Sequence, residues 1–299
     1  MPYPSPLVYP SGLLFPGLTG YGSPVSVGDL VFNTPDADGT LFVLSDLSGW
    51  GSPGSTVTTS QRARGDGATT SEPFRKPRVM TLSGSIDAQS PALLSVAVDT
   101  LIAAFTLDQF VMSVNESGRI RSLMAQRQDD VLVKWLNAYQ VEFSAQIVAK
   151  DPLKYGDLVT ASTVLPFSSG GRTRPSTWPV TWTGISGTGT VYVDNTGNTQ
   201  APVWLRIDGP IPAGGWTVTH VGKKQSLSFA TSLALSSSEF VTVDMERRQV
   251  LAQGQSARAG YVTSRGWFSL DPGINEIAFS AANYSSTALL TATTKPAWS

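Results

Sequence analysis

The sequence predicts a mainly β protein built as two domains, and three observations point there. Residues 139–147 alternate without a break. Tyr139, Val141, Phe143, Ala145 and Ile147 share one face, and Gln140, Glu142, Ser144 and Gln146 share the other. That period of two belongs to a strand with one buried and one wet face. From about residue 190 onward, short apolar runs recur every ten or so residues between turn residues, as in a sandwich. Finally, Gly (28) and Pro (20) are frequent and only 14% of the 299 residues are charged, which suits many turns and few surface helices.

Taken in order, residues 1–24 hold six prolines. They exclude a helix or a central strand. Two readings stand: a flexible tail, or, because Leu7, Val8, Tyr9, Leu13, Leu14 and Phe15 are many apolar residues for a solvated tail, an arm laid on a neighbouring subunit. Residues 25–165 form the first domain. Residues 29–32 and 41–44 are short strands, and the Asp36-Ala37-Asp38-Gly39 loop between them is an ordinary turn, since it lacks the further oxygen ligands of a calcium loop. Residues 49–77 read as a long polar surface loop carrying Arg62, Arg64, Arg75 and Lys76, with Arg78 just beyond. The Arg64-Gly65-Asp66 triplet within it is short enough to arise by chance.

Residues 79–88 are a strand. Ser90-Pro91 then opens a helix, with Ser as cap and Pro in the first turn. Leu94, Val98, Leu101, Ile102 and Phe105 make its apolar stripe. Residues 109–114 and 119–127 form a hairpin across Asn115-Glu116-Ser117-Gly118. The long strand follows, extended backwards by Val133 and Trp135, and ends at Asp151-Pro152.

Residues 155–175 read as a connector, with the linker proper at 166–175 around Ser168-Ser169-Gly170-Gly171. The second domain is 176–299. Strands are expected at 190–195, 201–208, 216–221, 226–230, 240–244, 249–252, 267–270, 274–280 and 288–293, a β-sandwich of jelly-roll type.

No catalytic constellation emerges. His220 has no partner nearby in sequence and reads as a satisfied histidine. Asp129 and Asp130 would face opposite ways on a strand. There is no cysteine, no phosphate loop and no metal signature, so no catalytic residue, cofactor or metal is assigned. A net charge of −1 argues against a dedicated nucleic-acid binder. The longest apolar run, about 101–105, is too short to cross a bilayer, and the N-terminus lacks the basic start and apolar core of a signal peptide. Trp204 breaks the inward phase of Val203 and Leu205 and could present an aromatic face to sugar. That supports an alternative reading as a carbohydrate-binding module that attaches to a host wall.

Three stretches carry a resemblance to a known family. They are Asp151-Pro152-Leu153-Lys154-Tyr155-Gly156, Val241-Thr242-Val243-Asp244-Met245-Glu246-Arg247-Arg248-Gln249-Val250, and Leu270-Asp271-Pro272-Gly273-Ile274-Asn275-Glu276-Ile277. In this order, after a strand and helix at 82–104, they resemble the distal tail protein of long-tailed siphophages, in the form found in phages of actinobacteria. The resemblance spans about residues 25–299. It implies a β-rich belt domain with one helix that closes into a ring, a hexamer, at the distal end of the virion tail. It implies a galectin-like β-sandwich outside the ring. The partners implied are further copies of the chain, the tail tube protein and the tail-tip proteins. Viral DNA would pass through the lumen without specific binding. No sugar site is carried over, and no membrane insertion is implied. The residues expected at the subunit interface are Arg62, Arg64, Arg75, Tyr139, Val141 and Phe143.

Overall fold

The computed structural model describes residues 24–169 and 185–299. The expected arm, most of the linker, Trp178 and Trp182 lie outside the described residues. The chain divides into two compact units, one of Met1–Lys154 with Ser299 and one of Tyr155–Trp298.

The first unit is a curled antiparallel sheet around one helix. Its strands are β1 (Val25–Val27), β2 (Leu30–Val31), β3 (Leu41–Ser48), β4 (Arg78–Asp87), β5 (Phe110–Glu116), β6 (Arg119–Arg127), β7 (Leu132–Trp135) and β8 (Gln140–Ala149). They run β2-β1-β5-β6-β8-β4-β3, with β7 also on β8. The long strand behaves as its alternation demands. Val141, Phe143, Ala145, Ile147 and Ala149 are buried, and the residues between them face out. It pairs with β4 over all ten residues, Gln140 with Asp87 through Ala149 with Arg78. Val133 and Trp135 do not extend it. They belong to β7, which folds back on β8 as a hairpin, with Val133 opposite Phe143. The turn residues Leu136 and Asn137, which both donate to the Gln140 carbonyl, interrupt the run.

Helix α1 (Pro91–Ala104) starts as its sequence indicates, with Ser90 Oγ accepting from Leu93 N–H at 3.2 Å. Leu94, Ala97, Val98 and Leu101 face the sheet. Ile102 lies at the margin of that stripe and is 41% exposed, so Ala97 takes the place expected for it. The β5–β6 turn is a tight one, with Ser117 and Gly118 both at positive φ, the conformation that a two-residue hairpin requires. Gly84 in β4 is needed for close approach: β3 is bulged between Leu44 and Asp46, and a Cβ on Gly84 would lie 1.9 Å from the Val43 carbonyl oxygen. The core joins Phe32, Phe42, Met80, Leu82, Ile86, Leu101, Phe105, Met112 and Phe143, with Phe32 stacked on Phe143 at 5.8 Å.

Residues 49–77 are not an unstructured loop. They form a two-stranded arm. Ser55–Thr56 pairs with Phe74–Arg75, and Thr59–Gln61 pairs with Ala68–Thr70. Every residue from 54 to 77 is exposed. Sequence periodicity misses it because neither face is buried, so no apolar alternation marks the strands.

The second unit is a sandwich of two antiparallel sheets. Its strands are β9 (Val159–Val164), β10 (Thr190–Asn195), β11 (Val203–Asp208), β12 (Trp216–His220), β13 (Gln225–Phe229), β14 (Phe240–Asp244), β15 (Gln249–Ala252), β16 (Val262–Arg265), β17 (Gly273–Ala281) and β18 (Leu289–Thr294). One sheet runs β9-β18-β11-β14-β15, and the other runs β10-β17-β12-β13-β16. Two expectations need correction. The connector expected at 155–175 contains β9, which pairs with β18 over six residues, Val159 with Thr294 through Val164 with Leu289. The division between the units therefore falls after Lys154 and not near 166. Residues 267–270 form no strand: Phe268 and Leu270 turn into the core, and the strand lies earlier, at β16.

Candidate assembly surfaces

Two features of the first unit stand out as candidates for contact with other molecules, and the first is the arm. Ser55 to Gln61 span about 20 Å at the rise of a strand. A two-stranded ribbon that buries nothing is marginal alone in water, so its root must be held. Arg78 does this. It is 1% exposed, and its Nη1 donates to the carbonyls of Gly49 (3.1 Å), Trp50 (2.8 Å) and Gly51 (2.9 Å), while Nε donates to Pro152 O at 2.9 Å. Lys154 Nζ donates to Trp50 O at 3.1 Å and Gly51 O at 3.2 Å. Glu116 completes the knot, accepting from Trp50 Nε1 on one oxygen and from Arg121 Nη1 at 2.6 Å on the other. The same carboxylate also acts electrostatically on Lys154. Burial, followed by the Arg78 charge, holds the Lys154 ammonium down to about 8 against Glu116, which works the other way. Burial also lowers Arg78.

Of the residues expected at an interface, Arg62 and Arg64 sit exposed at the tip of the arm. Arg75 is at its root, where Nε donates to Ser299 Oγ at 3.2 Å. Arg78, grouped by sequence with these basic residues, is instead a buried clamp. Tyr139 is 55% exposed on the β7–β8 turn. Val141 and Phe143 are fully occupied by their own core, and this corrects their assignment to an interface. Both edges of β8 are paired within the unit, so the long strand has no edge to offer a neighbour. What the hairpin does present is Leu132, Trp135, Leu136 and Tyr139, four exposed apolar side chains within eight residues. Sequence reading placed Trp135 on the long strand and so hid this cluster.

In the second unit, Trp204 faces outward as its phase indicated, above a shallow hollow of about 250 Å³ with Arg206, Thr242, Asp244, Gln249 and Thr293. Most of these polar groups are spent inside the protein. Trp204 Nε1 donates to Asp244 Oδ2 at 3.1 Å, and Asp244 Oδ1 accepts from the N–H groups of Glu246 and Arg247. Arg206 is bidentate on Asp208 and covers the Phe240 ring at 3.9 Å. Thr242 Oγ1 donates to Leu251 O. The Asp-turn of the 244–248 hairpin is thus a turn lock and a tryptophan anchor.

His220 is buried, and both of its ring nitrogens are engaged. Lys223 N–H donates to Nδ1 at 3.2 Å, which leaves the proton on Nε2, 3.0 Å from Asn275 Oδ1. Asn275 Oδ1 also accepts from Asp271 N–H, and its Nδ2 donates to Asp271 O and Gly273 O. Among the described residues, no group of three or more His, Asp or Glu side chains is placed to hold a metal ion.

Residues 196–298 match the family model of the siphovirus-type tail component, C-terminal domain. That match lies within the second unit. The fold of the described chain is similar to that of a distal tail protein. The Dit protein of phage SPP1 (gp 19.1), described as a paradigm of the hub adsorption apparatus in phages infecting Gram-positive bacteria, is similar at a TM-score of 0.63 and 12% identity, covering 85% of this chain and 93% of that one. A chain of the phage P2 baseplate in its activated conformation with calcium is similar at a TM-score of 0.48 and 8% identity, covering 91% of this chain and 97% of that one. No curated protein matches the chain.

Proposed function

We propose that this chain is a structural hub protein at the distal end of a siphophage tail. Copies of its first unit close into a ring of six that joins the tail tube to the tail-tip proteins, and viral DNA passes through the opening. The observation that carries this reading is the tail-component domain at residues 196–298, on a chain whose first unit holds out a braced, fully exposed arm. Such an arm has no use in a monomer, yet the buried Arg78 Nη1 and the Lys154 ammonium are committed to the carbonyls at its root. The exposed Leu132, Trp135, Leu136 and Tyr139 supply apolar surface of the kind found at protein contacts. A heterologous contact repeated by rotation closes into a ring. Arg62 and Arg64, at the tip of the arm, suit acidic groups on a neighbouring protein. DNA in transit is not to be held, and a net charge of −1 fits a passage that lets it slide.

Negative-stain imaging of the purified chain tests the proposal. Rings with six-fold symmetry are expected at micromolar concentration. A monodisperse monomer in every salt condition, and also in the presence of tail tube protein, would overturn it.

A further inference from the structure

The first unit carries an open groove of about 700 Å³ beside the C-terminal half of α1. Leu30, Phe42 and Phe110 form its floor, and Val31, Ala103 and Ala104 form its walls. Polar residues, Asp29 and Asp36 among them, sit in its rim. Leu107, next to the lining residue Thr106, is 76% exposed. An open apolar groove of that size accepts a peptide segment and calls for a partner.

The chain itself holds a matching segment. Residues 1–28 include no charged side chain, and of their two three-residue apolar runs Leu13-Leu14-Phe15 is the one without a polar side-chain atom. The prolines that flank this run disfavour helix and ladder alike, which leaves a peptide suited to lying in a groove. The point of attachment indicates whose groove it meets. At the start of β1, Asn115 N–H donates to Pro24 O at 3.0 Å, and Val25 lies opposite Val114. The groove is at the other end of β1, where Gly28 N–H donates to Val111 O at 2.9 Å. The described chain thus begins at the end of β1 away from the groove. Nine Cα-to-Cα steps separate Phe15 from Pro24, a reach of up to about 30 Å. That is enough to cross to an adjoining molecule.

We infer that Leu13, Leu14 and Phe15 of one copy fill the groove formed by β2, Phe42 and the end of α1 on the adjacent copy. This rests on the assembly reading above and gives it a specific contact. The contact runs head to tail, as ring closure requires.

Two changes in the full-length chain test it. The first is the triple substitution Leu13→Ser, Leu14→Ser and Phe15→Ser. The second is Ala103→Arg, at an exposed helix position where Arg is well tolerated. Each is expected to weaken self-association at least tenfold by light scattering, with the thermal midpoint of the monomer unchanged. Combined, they are expected to do no more than either alone, because both remove one contact. A photo-crosslinking benzoylphenylalanine substituted for Phe15 is expected to give an inter-chain adduct within residues 28–36 or 100–110. Rings that persist in both variants, additive losses, or an adduct elsewhere would overturn this inference and leave the ring standing. An adduct to the same residues inside one chain would overturn the inter-subunit assignment. A wild-type chain that never associates would overturn the ring reading itself.

Discussion

Lys154 Nζ lies 3.1 Å from the main-chain oxygen of Trp50, and this bond ties the end of the first unit to the root of its arm. The contact has a pH signature. The folded ammonium titrates at about 8, below the 10.5 of a free lysine, chiefly because it is buried and faces Arg78. Between those values the unfolded chain holds a proton that the folded chain has released, so stability rises with pH. The burial penalty is fully present below about pH 8 and is relieved toward 10.5. The neutral amine keeps two N–H groups and can still serve both carbonyls. We expect the denaturant midpoint of the first unit to rise between pH 8 and 10, by on the order of 1 kcal/mol per pKa unit. In Lys154→Met that rise is expected to vanish. An equal rise in both proteins would refute the assignment.

Arg78→Lys is expected to be far from conservative. One ammonium cannot reach carbonyls of Gly49, Trp50, Gly51 and Pro152 with the fork that the guanidinium supplies. A loss of about 3 kcal/mol is expected, in line with breaking a buried charged network. Limited proteolysis should then cut within residues 51–77 before any other site. Unchanged cleavage kinetics would show that the arm is held by something else.

Asn275 is fully committed, accepting from His220 and Asp271 and donating to Asp271 O and Gly273 O. Asn275→Ala strands the His220 N–H and three main-chain groups of the turn. It is expected to cost about 2–4 kcal/mol in the second unit. His220→Phe, which removes one partner, should cost less in the Asn275→Ala background than in the wild type. Equal costs in the two backgrounds would deny the coupling.

Trp204→Ala is expected to destabilise the second unit by about 2–3 kcal/mol and to leave retention on host wall glycans unchanged, since the surrounding polar groups are spent on Asp244, Asp208 and Leu251. Glycan-array binding by the wild type that disappears in this variant would instead establish the sugar-binding alternative.

A fragment of residues 155–299 is expected to fold alone as a sandwich. A fragment starting at 172 should be less stable and prone to aggregate, because it lacks β9 and bares the edge of β18 along six residues. Equal midpoints for the two fragments in urea would contradict this.

How far the sequence was legible varies from element to element for physical reasons. β8 could be read in full because every second residue is large and apolar, and its burial alternates to match. The Ser90 cap and the Ser117-Gly118 turn are local chemistry, and both appear where their residues stand. β9, by contrast, is Val-Thr-Ala-Ser-Thr-Val, too small and polar to stand out, and only its pairing with β18 makes it a strand. Trp135 was misplaced because alternation cannot tell one long strand from two joined by a turn.

By itself the sequence determined the β class, the helix, the phase of most strands and the absence of local catalytic motifs, because each of these depends on near neighbours in the chain. Tertiary structure alone decided the rest. It turned Arg78 from a surface cation into a buried clamp, withdrew Val141 and Phe143 into the core, raised the arm as a ribbon and moved the boundary between the units to Lys154. Each of these outcomes depends on residues far apart in sequence, such as Arg78 with Pro152 or Val159 with Thr294. Burial is a property of what the rest of the chain brings up against a residue, and no local pattern records it.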